Sequence, residues 1–429
     1  MAKLTKHHMI GLDVPINSAE PLTMHVDMNS CFATMEQQAN PLLRGRPVGV
    51  AAYAAPYGCV IAPSIEAKKY GVKTGMRVWE AQKVCPDIVI IQSHPPLYRD
   101  AHMKFRRIFE SYSDKVSPKS IDEAVIDFAG TERIRTKSLV DIGYEIKHRV
   151  HDEIGEWVRV NVGISTNRFL AKTAAGLHKP DGLDVITKDN LLDTYAGMDL
   201  LDISGINTRY GARLNSEGIF TPLQFFDAPV MKLKKQVFKS IVGYYWYLKL
   251  RGWEIEDHDS ERQSIGHDYT LQDRTNNPLL LRKFMMKLSE KTGRRLRRNK
   301  FFAEGIHVWV LYTDHDFWHQ GMRVGTRLYT TQDIFAYAMK VFELRQKDKP
   351  IAKMGVTVYD LVPYEPEQLG LFDGVKGDIN ALSRAVDAVN DKYGDMVIGS
   401  ALLMNMDSFI LDRVAFGSVR DMQDLYSDE

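Results

Sequence analysis

The sequence predicts an α+β protein of several compact units, and three observations carry that prediction. First, 429 residues exceed what one core holds and point to roughly three or four units. Second, strand-type and helix-type segments mix without strict βαβ alternation, so an antiparallel sheet is expected. Third, the texture changes twice. Beyond about residue 188 it turns to short helical segments as far as Trp253, and after the polar run "EIEDHDSERQ" (254–263) a second α+β unit begins.

Taken in order, "LTMHVDMN" reads as a strand ending near Asp27, and "CFATMEQQAN" as a helix stopped by Pro41. "RPVGVAAYA" is a second strand. "SIEAKKYGV" is a short helix with Ser64 as N-cap and Gly71 as its stop. "WEAQKVCPDIVII" reads as helix, turn and strand, and a helix follows from Tyr98 to Ser113. "KSIDEAVIDFAG" is the next strand, then a helix at 138–153, the strand "VRVNVGIS" and the helix "NRFLAKTAAGLHKP". In the last unit the pattern predicts a helix over 278–299, the strand "EGIHVWVLYTD", a polar loop, a helix at 331–345 and the strand "KMGVTVYDLV". Residues 363–378 read as loop and "INALSRAVDAVNDKYG" as a short helix. The first 22 residues read as a loose extension.

Composition narrows the function classes. At 44% hydrophobic and 26% charged the chain is of ordinary soluble type, and a net charge of +1 offers no global argument for a nucleic-acid partner. Cys31, Cys59 and Cys85 form no CxxC pair, which suits reduced thiols and a cytoplasmic setting. No apolar run long enough for a membrane helix occurs, so no membrane partner is expected. Neither GxxxxGK nor GxGxxG is present, so P-loop and Rossmann readings have no support. His148 and His151 have metal-ligand spacing, but without further ligands nearby they read as a helix-surface pair.

Within the strand "KSIDEAVIDFAG" the acids Asp122 and Glu123 are adjacent. Neighbours in a regular strand face opposite sides, so both serve one site only where the strand bends or ends. With Asp27 they make three carboxylates suited to Mg²⁺ and to nucleotidyl transfer by two metals. An Asp-Glu pair on an edge strand is the other reading. Arg168, Lys172 and Lys179, with Lys68 and Lys69, are candidate triphosphate contacts, although each alone is more often a solvated helix face. Between Arg282 and Lys300 nine basic residues accompany one acid, Glu290. In a chain of near-zero net charge, this concentration reads as a phosphate-contacting surface. "LLDISGINTRYGARLNSEGI" is a helical hairpin whose turn can aim N–H groups at a phosphate.

Together these segments resemble the Y-family translesion DNA polymerases, in particular the bacterial DNA polymerase IV group. "HVDMNSCFATMEQQANPLLRGRPVGV" is similar to that family's opening motif and "EAKKYGVKTGM" to its fingers helix. "SIDEAVID" is similar to its SxDEAxxD motif, and "VGISTNRFLAKTAAGLHKPDGL" to the palm helix that follows. The likeness runs over roughly residues 23–363.

The resemblance implies a right-hand polymerase. A palm at 23–187 carries inserted fingers at about 40–95. A helix-hairpin-helix-like thumb follows at 188–253, a linker at 254–263, a little finger at 264–362, and a clamp-binding peptide and helical tail at 363–429. It implies Asp27, Asp122 and Glu123 as catalytic carboxylates binding two Mg²⁺ ions, with the Met28 carbonyl as a further ligand. Phe32 falls at the steric gate, and Cys31, Phe32, Lys68 and Lys172 at dNTP-phosphate contacts. Gly205, Lys287, Lys291, Arg294, Arg295 and Arg298 would contact DNA. "EQLGLFD" resembles a sliding-clamp peptide, with Gln368, Leu369, Leu371 and Phe372 as its anchors. Primer–template DNA, dNTPs and a sliding clamp are thus the implied partners of a monomeric, low-fidelity enzyme.

Five positions depart from the pattern; Val125 and Ile126, in place of the more usual Tyr-Leu, are a packing change of little consequence. Asn29 stands where a second Asp is frequent, and Ile65 and Lys68 stand where the fingers usually present Tyr and Arg. Lysine has no bidentate fork and isoleucine no donor, so weaker dNTP binding or an altered substrate preference is implied. A catalytically weak DNA- and clamp-binding accessory factor is the alternative. A nucleotidyl cyclase, which shares palm-type carboxylates, leaves the basic helix and the clamp peptide without a purpose.

Overall fold

The computed structural model describes residues 14–132, 136–255, 262–364, 379–394 and 396–406. The chain divides near residue 257 into two compact units.

The first unit opens with β1 (Thr23–Met28), α1 (Cys31–Ala39), β2 (Val48–Ala51), β3 (Val60–Pro63), α2 (Ile65–Lys69), α3 (Val78–Val84) and β4 (Val89–Gln92). It continues through α4 (Pro95–Glu110), β5 (Val116–Pro118), β6 (Glu123–Asp127), α5 (Leu139–Glu153), β7 (Val160–Ser165), α6 (Arg168–Leu177) and β8 (Leu183–Val185). Five strands form one sheet in the order β5-β6-β1-β7-β8, antiparallel except for the parallel β7–β8 edge. Met24, Val26 and Met28 alternate along β1 onto one face, where they share a core with Phe105 and Ile108 of α4 and Ile142 and Ile146 of α5. α6 covers the other face.

The small sheet β3-β2-β4 carries its own cluster of Val60, Ala67, Val72 and Val78. Ser64 caps α2 as its sequence predicts, accepting from the Ala67 amide at 3.2 Å, and it also accepts from Val48 N at 3.1 Å. That second bond ties the helix to β2. A third cluster is built by α7 (Leu191–Ala196), α8 (Thr208–Ser216), α9 (Pro222–Asp227), α10 (Val230–Lys232) and α11 (Val242–Leu250) around Phe225, Tyr195 and Trp246.

The N-terminal stretch corrects the expectation of a loose extension as far as it is described. Val14 is buried in this third cluster. Asn17 N donates to Arg251 O at 2.8 Å, and Trp253 Nε1 donates to Pro15 O at 2.8 Å.

The second unit runs β9 (Ser264–Thr275), α12 (Pro278–Arg298), β10 (Phe301–Tyr312), β11 (Phe317–Leu328), α13 (Thr331–Phe342), β12 (Ile351–Pro363) and α14 (Ile379–Tyr393). Its antiparallel sheet has the order β11-β10-β12-β9. Phe284 and Leu288 of α12 and Ile334 and Val341 of α13 pack on Ile306, Val308, Val356 and Val358. The expected polar loop after β10 is instead the strand β11. As an edge strand exposed along most of its length it carries Gln320, Arg323 and Arg327, so its composition reads as loop. β9 was not anticipated either, although Ile265, Tyr269 and Leu271 alternate into the core. Beyond α14 a single 3₁₀ turn, Ala401–Leu403, leads Met406 into the same core.

Candidate active site

β1 lies between β6 and β7, and the register sets Asp27 opposite Glu123 on one side and Asn161 on the other. Opposed residues share a sheet face, so two carboxylates are brought together by strand pairing alone. Asp122 sits one residue before β6 begins, in the bend that lets adjacent acids converge, and Met28 N donates to its carbonyl at 2.9 Å. This resolves the adjacency of Asp122 and Glu123: the strand starts at the second acid.

Each carboxylate has a hydrogen-bonding partner. Lys172 Nζ reaches both oxygens of Glu123, at 3.0 and 2.8 Å, and His25 Nε2 lies 3.2 Å from Oε2. Lys179 pairs with Asp27, and the Ser120 hydroxyl bonds Asp122. Burial opposes ionisation of Glu123, yet the His25 and Lys172 contacts hold its carboxyl down to about 2. Asp122 moves the other way. Burial raises it, the neighbouring charges of Asp27 and Glu123 add to the rise, and the Ser120 bond and a backbone hydrogen bond resist.

The lysines are placed by the backbone around α6. Asn167 caps α6, accepting from Leu170 N at 2.7 Å. The helix crosses β7 at Gly163, where a Cβ would come within 2.0 Å of the Ala171 carbonyl. Without that glycine α6 would be pushed off the sheet and Lys172 away from Glu123. After α6, the loop bearing Lys179 is tethered by two amides: Asp181 N donates to Asn29 Oδ1 at 2.8 Å and Gly182 N to Asn161 Oδ1 at 3.0 Å. Asn29, the departure from the resemblance, therefore holds a loop and faces no carboxylate duty.

A pocket of about 180 Å³ adjoins the acids, lined among others by Cys31, Phe32, Lys68, Asp122 and Lys179. Phe32 is 1% exposed, its ring stacked on Tyr98 with centroids 4.2 Å apart. Tyr98 is fixed in turn by donating to Glu36 Oε1 at 2.7 Å. Burial, then the charges of Asp122 and Asp27, push the Cys31 thiol up, so it packs as a small apolar group. Burial and the Lys179 charge push Lys68 down, while Asp27 and Asp122 act against that. Ile65, at the head of the same helix, does not line the pocket.

As the side chains stand, no three His, Cys, Asp or Glu groups among the described residues form a metal-holding set. The chemistry of the donors nevertheless fits a hard divalent cation. Burial is the main reason Asp122 is raised and the neighbouring carboxylates add to it, while two ammonium groups occupy Asp27 and Glu123 as stand-in cations.

Gly205 turns between Leu200–Asp202 and α8 with φ +95, and a Cβ there would come within 3.3 Å of the Trp246 ring, so a side chain would be strained. Asn207 then caps α8 through Arg209 N and Tyr210 N.

The basic helix, expected to offer a cationic face to phosphates, spends part of that face on contacts within its own unit, while Arg282 and Arg298 stay exposed. Lys287 is 3% exposed, with Nζ 3.5 Å over the Tyr269 ring. Arg297, buried, grips Asp387 of α14 with bonds of 2.6 and 2.8 Å. Arg294 and Arg298 share Asp391, and Arg295 donates to Gly266 O at 2.6 Å. Lys291 and Arg295 follow burial in pushing the His267 imidazole down to about 3. The candidate clamp residues Gln368, Leu369, Leu371 and Phe372 lie outside the described residues. Sequence reasoning assigned nothing to His25 or Tyr98; a histidine two residues before the catalytic-type Asp was the one available signal.

No helix among the described residues is long and apolar enough to cross a membrane. The impB/mucB/samB family matches residues 26–176, and its C-terminal domain matches residues 262–371. The DNA polymerase IV of Staphylococcus aureus (strain JH9) is 31% identical over 358 residues, 82% of this chain and 98% of the relative. That of Alkalilimnicola ehrlichii is 30% identical over 347 residues, 80% of this chain and 96% of the relative. Among solved structures, a Y-family polymerase chimera, Dbh-Dpo4(243-245)-Dbh, superposes with a TM-score of 0.69 at 24% identity, covering 80% of this chain and 99% of its own. An insertion ternary complex of Dbh DNA polymerase gives 0.52 at 23% with the same coverage. With the carboxylates at the β1–β6 junction and relatives covered almost end to end, the chain belongs to the impB/mucB/samB family and is a Y-family DNA-directed DNA polymerase of the DNA polymerase IV type.

Proposed function

We propose that this translesion polymerase extends a primer on a DNA template with low fidelity, using two divalent metal ions held by Asp27, Asp122, Glu123 and the Met28 carbonyl. The observation that carries the reading is the cross-strand pair Asp27–Glu123 beside Asp122, each of the pair neutralised by a lysine. When bound, the ions supply activation of the primer 3′-OH and neutralise charge developing on the phosphates. Lys172 and Lys179, with side chains 43% and 47% exposed, release the carboxylates and turn to the triphosphate. Lys68 contributes a single point charge from the fingers where a guanidinium fork would give two bonds. Phe32, braced by Tyr98, lies under the sugar and excludes a 2′-OH. Residues 23–187, 188–253 and 264–362 serve as palm with fingers, thumb and little finger. Gly205 keeps the thumb turn open to a DNA backbone, and the segment Gln368–Phe372 engages a sliding clamp.

Primer extension with Mg²⁺ on undamaged and lesion-bearing templates tests this, comparing the parent with Asp122→Ala/Glu123→Ala. Loss of extension in the variant is expected. A parent that binds DNA but extends nothing would favour the accessory factor, the reading to which Ile65 and Lys68 lend support. Deleting 368–373 should abolish clamp stimulation and spare distributive synthesis; equal stimulation afterwards would remove the clamp assignment.

A further inference from the structure

Glu123 is held by two donors of opposite character, and the contrast points to a role for His25. Lys172 reaches it from α6 with a side chain 43% exposed, free to be exchanged for another cation. His25 reaches it from inside the sheet, 2% exposed beneath α6. Its neighbours across the strands are Val125 and Gly163, so an aliphatic side chain would be the ordinary occupant of this position. A carboxylate can only accept, so the hydrogen bond across the 3.2 Å between His25 Nε2 and Glu123 Oε2 has the imidazole as its donor. The other ring nitrogen, Nδ1, is buried with no hydrogen-bond partner in the protein. Burying an imidazole with one nitrogen unsatisfied is unfavourable, so packing stability does not explain the residue.

We infer that His25 is a positioning residue for the metal-binding carboxylate: it pins Oε2 of Glu123 and thereby sets the orientation in which Glu123 faces the cation that displaces Lys172. The inference rests on the proposed metal-dependent reading of Asp27, Asp122 and Glu123. Outer hydrogen bonds of this kind orient a ligand while the metal is absent and keep it oriented when it arrives.

The test uses Mn²⁺ as the spectroscopic probe, titrated into the full chain with primer–template DNA and followed by electron paramagnetic resonance. His25→Phe keeps a ring and removes the donor; His25→Gln keeps a donor. His25→Phe is expected to weaken Mn²⁺ binding about 10–100-fold and to lower kcat at unchanged dNTP KM, with His25→Gln recovering most of both. Should His25→Phe fail to fold, His25→Met takes its place, since an unbranched thioether adapts to the gap. Mn²⁺ affinity and kcat equal to the parent's in the folded donor-less variant would overturn the inference. So would equal losses in that variant and in His25→Gln, because packing alone would then explain them. Glu123→Ala separates the two layers. If it leaves Mn²⁺ binding intact, the metal reading itself fails; if it abolishes binding while His25→Phe does not, only the role of His25 falls.

Discussion

Charge is concentrated in two places in this molecule, and the two concentrations have opposite character. At the β1–β6 junction, carboxylates are paired with lysines whose side chains are nearly half exposed. On α12, cations are paired with Asp387 and Asp391, and the central pair, Arg297–Asp387, is 4% and 10% exposed. An ion pair with one exposed, flexible member can exchange that member for another charge at little cost. A pair buried on both sides cannot, because separating it strands a desolvated charge. The first arrangement therefore suits a site and the second suits a joint between helices. A run of like charges in a sequence does not distinguish them.

The contrast can be broken or sharpened by substitution. Asp27→Ala should lower primer extension by about 10³-fold, equivalent to about 4 kcal/mol, with little change in the thermal midpoint. A large fall in the midpoint would mean that this carboxylate is structural. Asp387→Ala should do the reverse. Leaving Arg297 buried and unpaired should cost the second unit about 3–5 kcal/mol, read by thermal or denaturant unfolding, while a small effect would show the pair to be exchangeable after all.

Phe32→Ala should relax sugar discrimination by about 10–100-fold, measured as the ratio of ribo- to deoxyribonucleotide incorporation; an unchanged ratio removes the gate assignment. Lys287→Met should shift the log–log salt slope of DNA binding by less than about one unit, because this buried lysine faces a ring. A loss of a full unit or more would restore the basic-helix reading.

The smallest effect concerns pH. His267 titrates at about 3 in the fold against an ordinary value of 6.5, so the folded state binds fewer protons between them. Its contribution to stability is complete above about 6.5 and is lost progressively as pH falls toward about 3. His267→Asn should flatten the acid limb of the second unit's stability profile over that window, and an unaltered limb would contradict the assignment.

Local signals were legible wherever one residue type does one local job. Ser64 caps α2 as its position before a short helix foretold, Pro41 follows the end of α1, and the α12 bounds fall within a residue of those read from periodicity. The motif residues Asp27, Asp122 and Glu123 were also legible, including the condition that their strand bend or end. β11 was not, since an edge strand exposed along most of its length carries no alternation to read. Nor was the docking of Val14 to Asn17, which depends on a surface assembled more than 200 residues later in the chain.

What the sequence determined by itself is most of the helices, the central strands and the chemistry they carry: three acids at the ends of paired strands, Lys172 on α6 with Lys179 just beyond it, and an aromatic beside them. Those follow from periodicity, caps and residue type, which act over a few positions. The tertiary structure alone decided which charges are exposed. Asp387 of α14 turns Arg297 of the basic run into a buried joint, while the close crossing at Gly163 sets Lys172 on Glu123 and leaves His25 sealed beneath it. Burial is a property of the neighbours a residue acquires on folding, and the worth of a charge depends on burial more than on identity.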